Sequence, residues 1–196
     1  MELLWPEGLL AHIREIDEHA DFQRDYAAAK IQTALGEMLA VFAPEGLSLL
    51  EFPDGKGVEK ELSALKKAAK AEIYWHSDER AEKLARELVQ YFAGTLESFQ
   101  TALSPVGTDF QKRAWQVLQS IPYGEVLSYR EQAERLGNPK AVRAVAAANG
   151  QNKISILIPC HRVIGSNGKL VGYAGGLHRK QALLNLEHCR CVLSLD

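Results

Sequence analysis

Apolar and polar positions divide the chain into stretches of different period. Residues 1–28 are helix-permissive and end in the charged stretch EIDEHADFQRDYAAAK, which reads either as a helix or as an arm. From Lys30 to Phe52, two apolar runs flank Pro44-Glu45-Gly46, a pattern that predicts a β-hairpin. Residues 56–72 are rich in Lys, Glu and Ala and predict a helix, and EIYWH at 72–76 predicts a further strand. Residues 78–94 repeat Ala, Leu and Val at helical spacing, with Leu84, Leu88 and Tyr91 on one face. These elements predict a small α+β domain over 29–101, preceded by an N-terminal arm, 1–28, of no assigned role.

The stretch TALSPVGTD reads as a linker into a second domain, 107–196. There Phe110, Ala114, Val117, Leu118 and Ile121 mark an amphipathic helix that stops at Ile121-Pro122-Tyr123-Gly124. Ser128 is placed to cap the next helix, SYREQAERL, and Gly137 to end it. Asn138 then reads as an N-cap, with Pro139 at the first position of KAVRAVAAANG. Two short helices so spaced predict a helix-turn-helix over 128–149, a motif of weak specificity because helical hairpins are common. On the second helix Val142, Val145 and Ala146 can face the core, leaving Lys140, Arg143, Ala144 and Ala147 outward. Small side chains permit close approach to a groove wall, although Ala is also simply the best helix former.

Composition sharpens this picture in two places. With 196 residues, 46% of them hydrophobic, the chain can build one core or two small ones. No run of about 18 apolar residues offers a membrane span, and early acids stand where a secretory signal carries basic residues, so the expected compartment is the cytoplasm. The net charge of −2 conceals an asymmetry: residues 1–106 hold 11 Lys+Arg against 19 Asp+Glu, and residues 107–187 hold 11 against 5. A basic segment joined to an acidic one points to a polyanionic partner for the second half, though chance clustering gives the same pattern.

Three cysteines, Cys160, Cys189 and Cys191, form neither a disulfide framework nor a zinc-binding spacing. Cys160 follows the apolar run ISILIP, read as a buried strand, and precedes His161 and Arg162. A buried cysteine is most often an inert small hydrophobe, but three reactive side chains in succession at the end of a buried segment are better explained by a site. A thiol attacks as thiolate, so a proton acceptor is needed, and His161 is the candidate. Side chains alternate along an extended chain, so a bridging water or a turn after Pro159 is required to bring His161 to the sulfur. Glu187, at the end of RKQALLNLE, is a candidate to orient His161, and equally reads as a solvated helix residue.

PCHRV, residues 159–163, resembles the signature of the O6-alkylguanine-DNA alkyltransferases (methylated-DNA–protein-cysteine methyltransferases). The resemblance runs through FQKRAWQVLQSIPYGEVLSY, GNPKAVRAVAAANGQN, ILIPCHRVIGSNGKLVGYAGG and RKQALLNLE, roughly residues 107–187. It implies an α+β fold: a ribonuclease H-like N-terminal domain carrying the hairpin, and a mainly helical C-terminal domain containing the helix-turn-helix. It also implies double-stranded DNA carrying O6-alkylguanine as partner, with O4-alkylthymine as a further substrate. Binding through the minor groove with base flipping, a single turnover, a monomer and no cofactor or metal belong to the same expectation.

By that resemblance Cys160 matches the alkyl acceptor, while His161 and Glu187 match the partners that carry its proton through water. Asn152 matches the brace between recognition helix and active-site strand, and Tyr129 the hydroxyl that donates to guanine N3. Arg143 matches the finger that replaces the flipped base. Backbone groups of Cys160, Val163 and Ala174 match those reading the guanine edge, with Tyr173 as pocket wall. Gln111, Arg130, Asn138 and Ser166 match phosphate-contacting positions. Residues 1–159 hold no cysteine, which departs from relatives that bind zinc or carry a second acceptor in the N-terminal domain; the resemblance does not place the first 28 residues. Cys189-Arg190-Cys191 reads as tail. Two other classes compete: a non-catalytic protein that binds alkylated DNA, and a Cys-His hydrolase that turns over repeatedly.

Overall fold

The computed structural model describes residues 5–55 and 57–187, which fall in two compact units, Met1–Val106 and Gly107–Asp196. Cys189 and Cys191 lie outside the described residues.

The first unit holds a four-stranded sheet, β1 Tyr26–Thr33, β2 Gly36–Ala43, β3 Gly46–Glu51 and β4 Ile73–Trp75, in the order β3-β2-β1-β4. β1/β2 and β2/β3 are antiparallel, and β4 returns parallel to β1. The hairpin expected at Pro44-Glu45-Gly46 is β2–β3. A Cβ on Gly46 would stand 2.6 Å from the Ala102 carbonyl oxygen, and its φ of +154° is one that glycine adopts freely. The first apolar run, however, contains a second turn at Ala34-Leu35, so it supplies two strands rather than one. Thr33 Oγ1 closes that turn by donating to the Gly36 carbonyl at 2.6 Å.

The short helix α1, Glu7–Leu10, and α2, Val58–Ala69, cover one sheet face. Trp5, Leu9 and Ile13 are buried there with Leu39, Val41, Leu62 and Leu65, so residues 5–13 contribute to this core. α3, Glu79–Phe92, packs against β1, with Leu84, Leu88 and Tyr91 fully buried as their spacing predicts. Asp78 caps α3, accepting from the Arg80 and Ala81 N–H groups.

The second unit is mainly helical: α4 Asp109–Gln119, α5 Tyr129–Arg135, α6 Val142–Asn149 and α7 Leu177–Leu186. Its only strands among the described residues, β5 Leu127–Ser128 and β6 Val163–Ile164, form a two-stranded parallel ribbon. Thr108 and Gln111 form a capping box on α4, and Ser128 and Glu131 another on α5. Gly137, at φ +75°, follows α5 as expected.

Three local expectations are corrected. Asn138 makes no side-chain cap; Pro139–Ala141 form a 3-10 turn before α6. Ala146 is exposed, and Ala148 instead joins Val145 in the core. The segment 154–159 is buried as predicted but is not a strand. Ile156 takes φ +72°, which folds the run back on itself, and Cys160–Arg162 continue as a 3-10 turn. Apolar content fixed the burial of this run, while side-chain hydrogen bonds from Asn152 fixed its path. Among the described residues no helix is long and apolar enough to cross a membrane.

Candidate active site

Asn152 sits three residues beyond α6 and is buried, so its amide must find partners inside the protein. Its Oδ1 accepts the Ile154 N–H at 3.1 Å, and its Nδ2 donates to the Ile158 carbonyl at 2.8 Å. These bonds hold the turn ahead of Pro159. The same Nδ2 lies 3.3 Å from the sulfur of half-buried Cys160, a donor aimed at the thiol.

The 3-10 turn, Cys160–Arg162, replaces the alternation of an extended chain and carries His161 and Arg162 together onto Glu187 at the end of α7. His161 is fully buried, and its Nε2 lies 2.9 Å from Glu187 Oε1. Arg162 forks onto the same carboxylate, Nε to Oε2 at 2.8 Å and Nη2 to Oε1 at 2.9 Å. Its Nη1 donates to the Ile121 carbonyl at 2.6 Å. Glu187 is therefore not a solvated helix end.

Charge states follow from these contacts. Burial pushes the Glu187 carboxyl up, but hydrogen bonds and charge from His161 and Arg162 outweigh it and hold the group at about 2. Burial lowers His161 below its usual value despite Glu187, so the ring is neutral at neutral pH. An ionised carboxylate only accepts, so Nε2 carries the proton and Nδ1 keeps its lone pair. Nδ1 is buried without a hydrogen-bond partner among the described residues. The site thus holds a base with a vacant acceptor position next in sequence to the thiol.

The β5–β6 ribbon brings Tyr129, the first residue of α5, alongside the segment that follows Cys160. Its hydroxyl donates to the Val171 carbonyl at 3.3 Å. Burial, with Cys160 nearby, pushes this phenol up to about 12, so it stays a donor at any physiological pH. Lys180, on α7, is completely buried and clamps the same segment: Nζ donates to the carbonyls of Val163 at 2.6 Å, Val171 at 2.8 Å and Gly172 at 3.3 Å. Burial pulls its ammonium down to about 8, partly offset by Cys160.

Of the residues singled out from sequence, Cys160, His161, Glu187 and Asn152 come together, and Tyr129 joins them through the 171–172 backbone. Val163 is buried in the ribbon, one lone pair of its carbonyl taken by Lys180. Arg130, Asn138, Arg143, Ser166 and Ala174 are exposed on the second unit, and Tyr173 is half-buried. Gln111 is committed to its capping box and to Gln151. Sequence reasoning gave Arg162 no role and missed Lys180. A signal for Lys180 existed: Lys180, Leu183, Leu184 and Glu187 follow the i, i+3, i+4, i+7 rhythm, so the buried stripe of α7 carries Lys180 and runs on into Glu187 at its C-cap.

A thiol that accepts a fixed amide N–H, beside a neutral imidazole oriented by a buried carboxylate, is the arrangement of a protein built around a cysteine nucleophile. Residues 109–189 match the family model for the DNA-binding domain of 6-O-methylguanine DNA methyltransferase. The chain is 45% identical over 159 residues to the methylated-DNA–protein-cysteine methyltransferase of Methanosarcina acetivorans, covering 81% of this chain and 96% of that one. The solved O6-methylguanine methyltransferase of Mycobacterium tuberculosis superimposes with TM-score 0.71 at 39% identity, over 87% of this chain and 96% of that one. A Mycobacterium tuberculosis OGT in complex with DNA matches with TM-score 0.71 at 38% identity, over 86% and 95% of the two chains. This chain belongs to the methylated-DNA–protein-cysteine methyltransferase family.

Proposed function

We propose that this protein repairs double-stranded DNA by moving an alkyl group from O6 of guanine onto its own Cys160. The observation that carries the reading is the convergence of the Asn152 amide, 3.3 Å from the Cys160 sulfur, with the buried His161–Glu187 pair. The thiol proton leaves towards His161 Nδ1, whose lone pair meets no hydrogen-bond donor among the described residues. A water between Sγ and Nδ1 fits a base that adjoins the thiol in sequence. Glu187 stabilises the imidazolium, and Arg162 keeps Glu187 ionised and in place. The sulfur then bonds to the alkyl carbon as the O6–C bond breaks. The electron pair stays on guanine, to which the Tyr129 hydroxyl donates a hydrogen bond, and the proton held by His161 passes back through water to the guanine, so that the phenol and the imidazole both end as they began. Net, the thiol exchanges its proton for the alkyl group.

α5 and α6 serve as the helix-turn-helix, with exposed Arg143 among small side chains suited to a narrow groove. A half-buried sulfur does not reach O6 inside a stacked duplex, so the nucleotide flips out at a cost of a few kcal/mol. A thioether is not reversed by thiol exchange. Titration with excess O6-methylguanine duplex therefore stops at one methyl group per protein, whereas a hydrolytic or repeated reaction would run past that equivalence point.

Lys180 holds the backbone that lines the flipped base. Its folded value, about 8, lies below 10.5, the value expected for the unfolded chain, so between these pH values the unfolded chain keeps a proton the folded one has released. Folding stability from this group therefore rises with pH across that window while the clamp loses a donor. The single-turnover transfer rate is expected to carry a falling limb near pH 8. In Lys180→Met that limb disappears, and the rate at pH 7 drops about tenfold as three carbonyls lose their donor.

A further inference from the structure

Gln132 on α5 and Asn149 at the end of α6 are buried amides to which the transfer step above assigns no role. They exchange two hydrogen bonds: Gln132 Nε2 to Asn149 Oδ1 at 3.0 Å, and Asn149 Nδ2 to Gln132 Oε1 at 2.7 Å. Gln132 Nε2 also donates to the Ala114 carbonyl on α4 at 3.2 Å. The backbone then carries the connection onward. The Asn149 carbonyl accepts the Asn152 N–H at 3.2 Å, and Asn152 is the residue that donates to the Cys160 sulfur. An unbroken hydrogen-bonded path therefore runs from α5, through the last turn of α6, to the thiol.

A reciprocal amide pair fixes both distance and rotation between two helices, because each amide must present donor and acceptor together. An apolar pair of similar size fills the space without fixing that angle. We propose that Gln132 and Asn149 are a positioning pair for alkyl transfer, locking α6 against α5 in the register that sets the Asn152 donor on the Cys160 sulfur. The inference rests on the alkyl-transfer reading above and adds to it the device that couples the DNA-facing helices to the sulfur.

The test compares Gln132→Leu/Asn149→Leu with the exchanged pair Gln132→Asn/Asn149→Gln, using O6-methylguanine duplex. Melting temperature, duplex Kd and the transfer rate constant at saturating duplex are read separately. The apolar pair is expected to stay folded and to bind within about threefold of the parent, while its rate constant falls about tenfold or more through misplacement of the reacting groups. The exchanged pair keeps two amides and recovers most of the rate. An apolar pair that transfers at the parental rate overturns the proposal, as does one whose only defect is in Kd, or a folded exchanged pair as slow as the apolar one. If the apolar pair does not fold, Gln132→Met, which keeps the side-chain length and removes its hydrogen bonds, is read by the same criteria. A parent protein that transfers no methyl group refutes the alkyl-transfer reading itself; a parent that transfers while Gln132→Leu/Asn149→Leu matches it refutes only the positioning pair.

Discussion

Cys160→Ser is expected to abolish methyl transfer, lowering the single-turnover rate by on the order of 10⁴-fold or more, while duplex affinity stays within about threefold of the parent. The substitution exchanges one atom. Asn152 Nδ2 keeps an acceptor to point at, so the turn ahead of Pro159 and its hydrogen bonds to Ile158 and Ile154 survive. What is lost is nucleophilicity: a thiol near neutral pH is already a few per cent thiolate, and a hydroxyl needs a far stronger base than a neutral imidazole. Rapid-quench measurement of methyl loss from a labelled duplex, paired with a binding titration, separates chemistry from affinity. Loss of affinity in proportion to rate would mean that the sulfur serves binding.

Glu187→Gln is the second large effect, and it strikes rate and stability together. The carboxylate is shared by His161 and Arg162, all three buried. Replacing it strands the Arg162 guanidinium without a counter-charge, at a cost of about 3–5 kcal/mol. It also removes the anion that orients His161 and stabilises its protonated form, so the transfer rate falls about 10²- to 10³-fold.

The acid limb of the stability curve identifies the cause. The folded carboxyl titrates at about 2 against an ordinary 4.5, so its contribution is complete above about pH 4.5 and is lost as the pH falls towards 2. That contribution is on the order of 3 kcal/mol, and in Glu187→Gln this part of the acid limb vanishes. His161, lowered from its ordinary 6.5, adds a separate loss below that value, which persists in the variant. Denaturant melts from pH 7 to 2 distinguish the two. An unchanged limb between 4.5 and 2 in the variant would remove Glu187 as the buried partner.

Local rules made much of the fold legible. Ser128 with Glu131 and Gly137 bounded α5 by capping chemistry, and Leu84, Leu88 and Tyr91 fell on the buried face of α3 by period alone. β1 escaped because YAAAKIQT is alanine-rich, and alanine is depleted in strands; its strand state comes from pairing with β2 and β4. ISILIP misled for the opposite reason: β-branched residues predict a strand, yet the Asn152 side chain takes over backbone partners and bends the run.

The candidate site divided along the same line. The thiol and its neighbours could be singled out from PCHRV, because adjacent reactive groups after an apolar run are visible in one dimension. The fork of Arg162 on Glu187 spans 25 residues, and the grip of Lys180 on the Val163 carbonyl spans 17; only the folded chain makes such partners adjacent.

The central claim, that Cys160 itself accepts the alkyl group, is tested most directly by intact-mass and peptide mass spectrometry after incubation with O6-methylguanine duplex. The expected result is a gain of about 14 Da, one CH₂ in net mass, on the peptide containing Cys160 and on no other, absent in Cys160→Ser. An unmodified protein recovered from a duplex that has lost its methyl group, or a methyl group on any other residue, would contradict it.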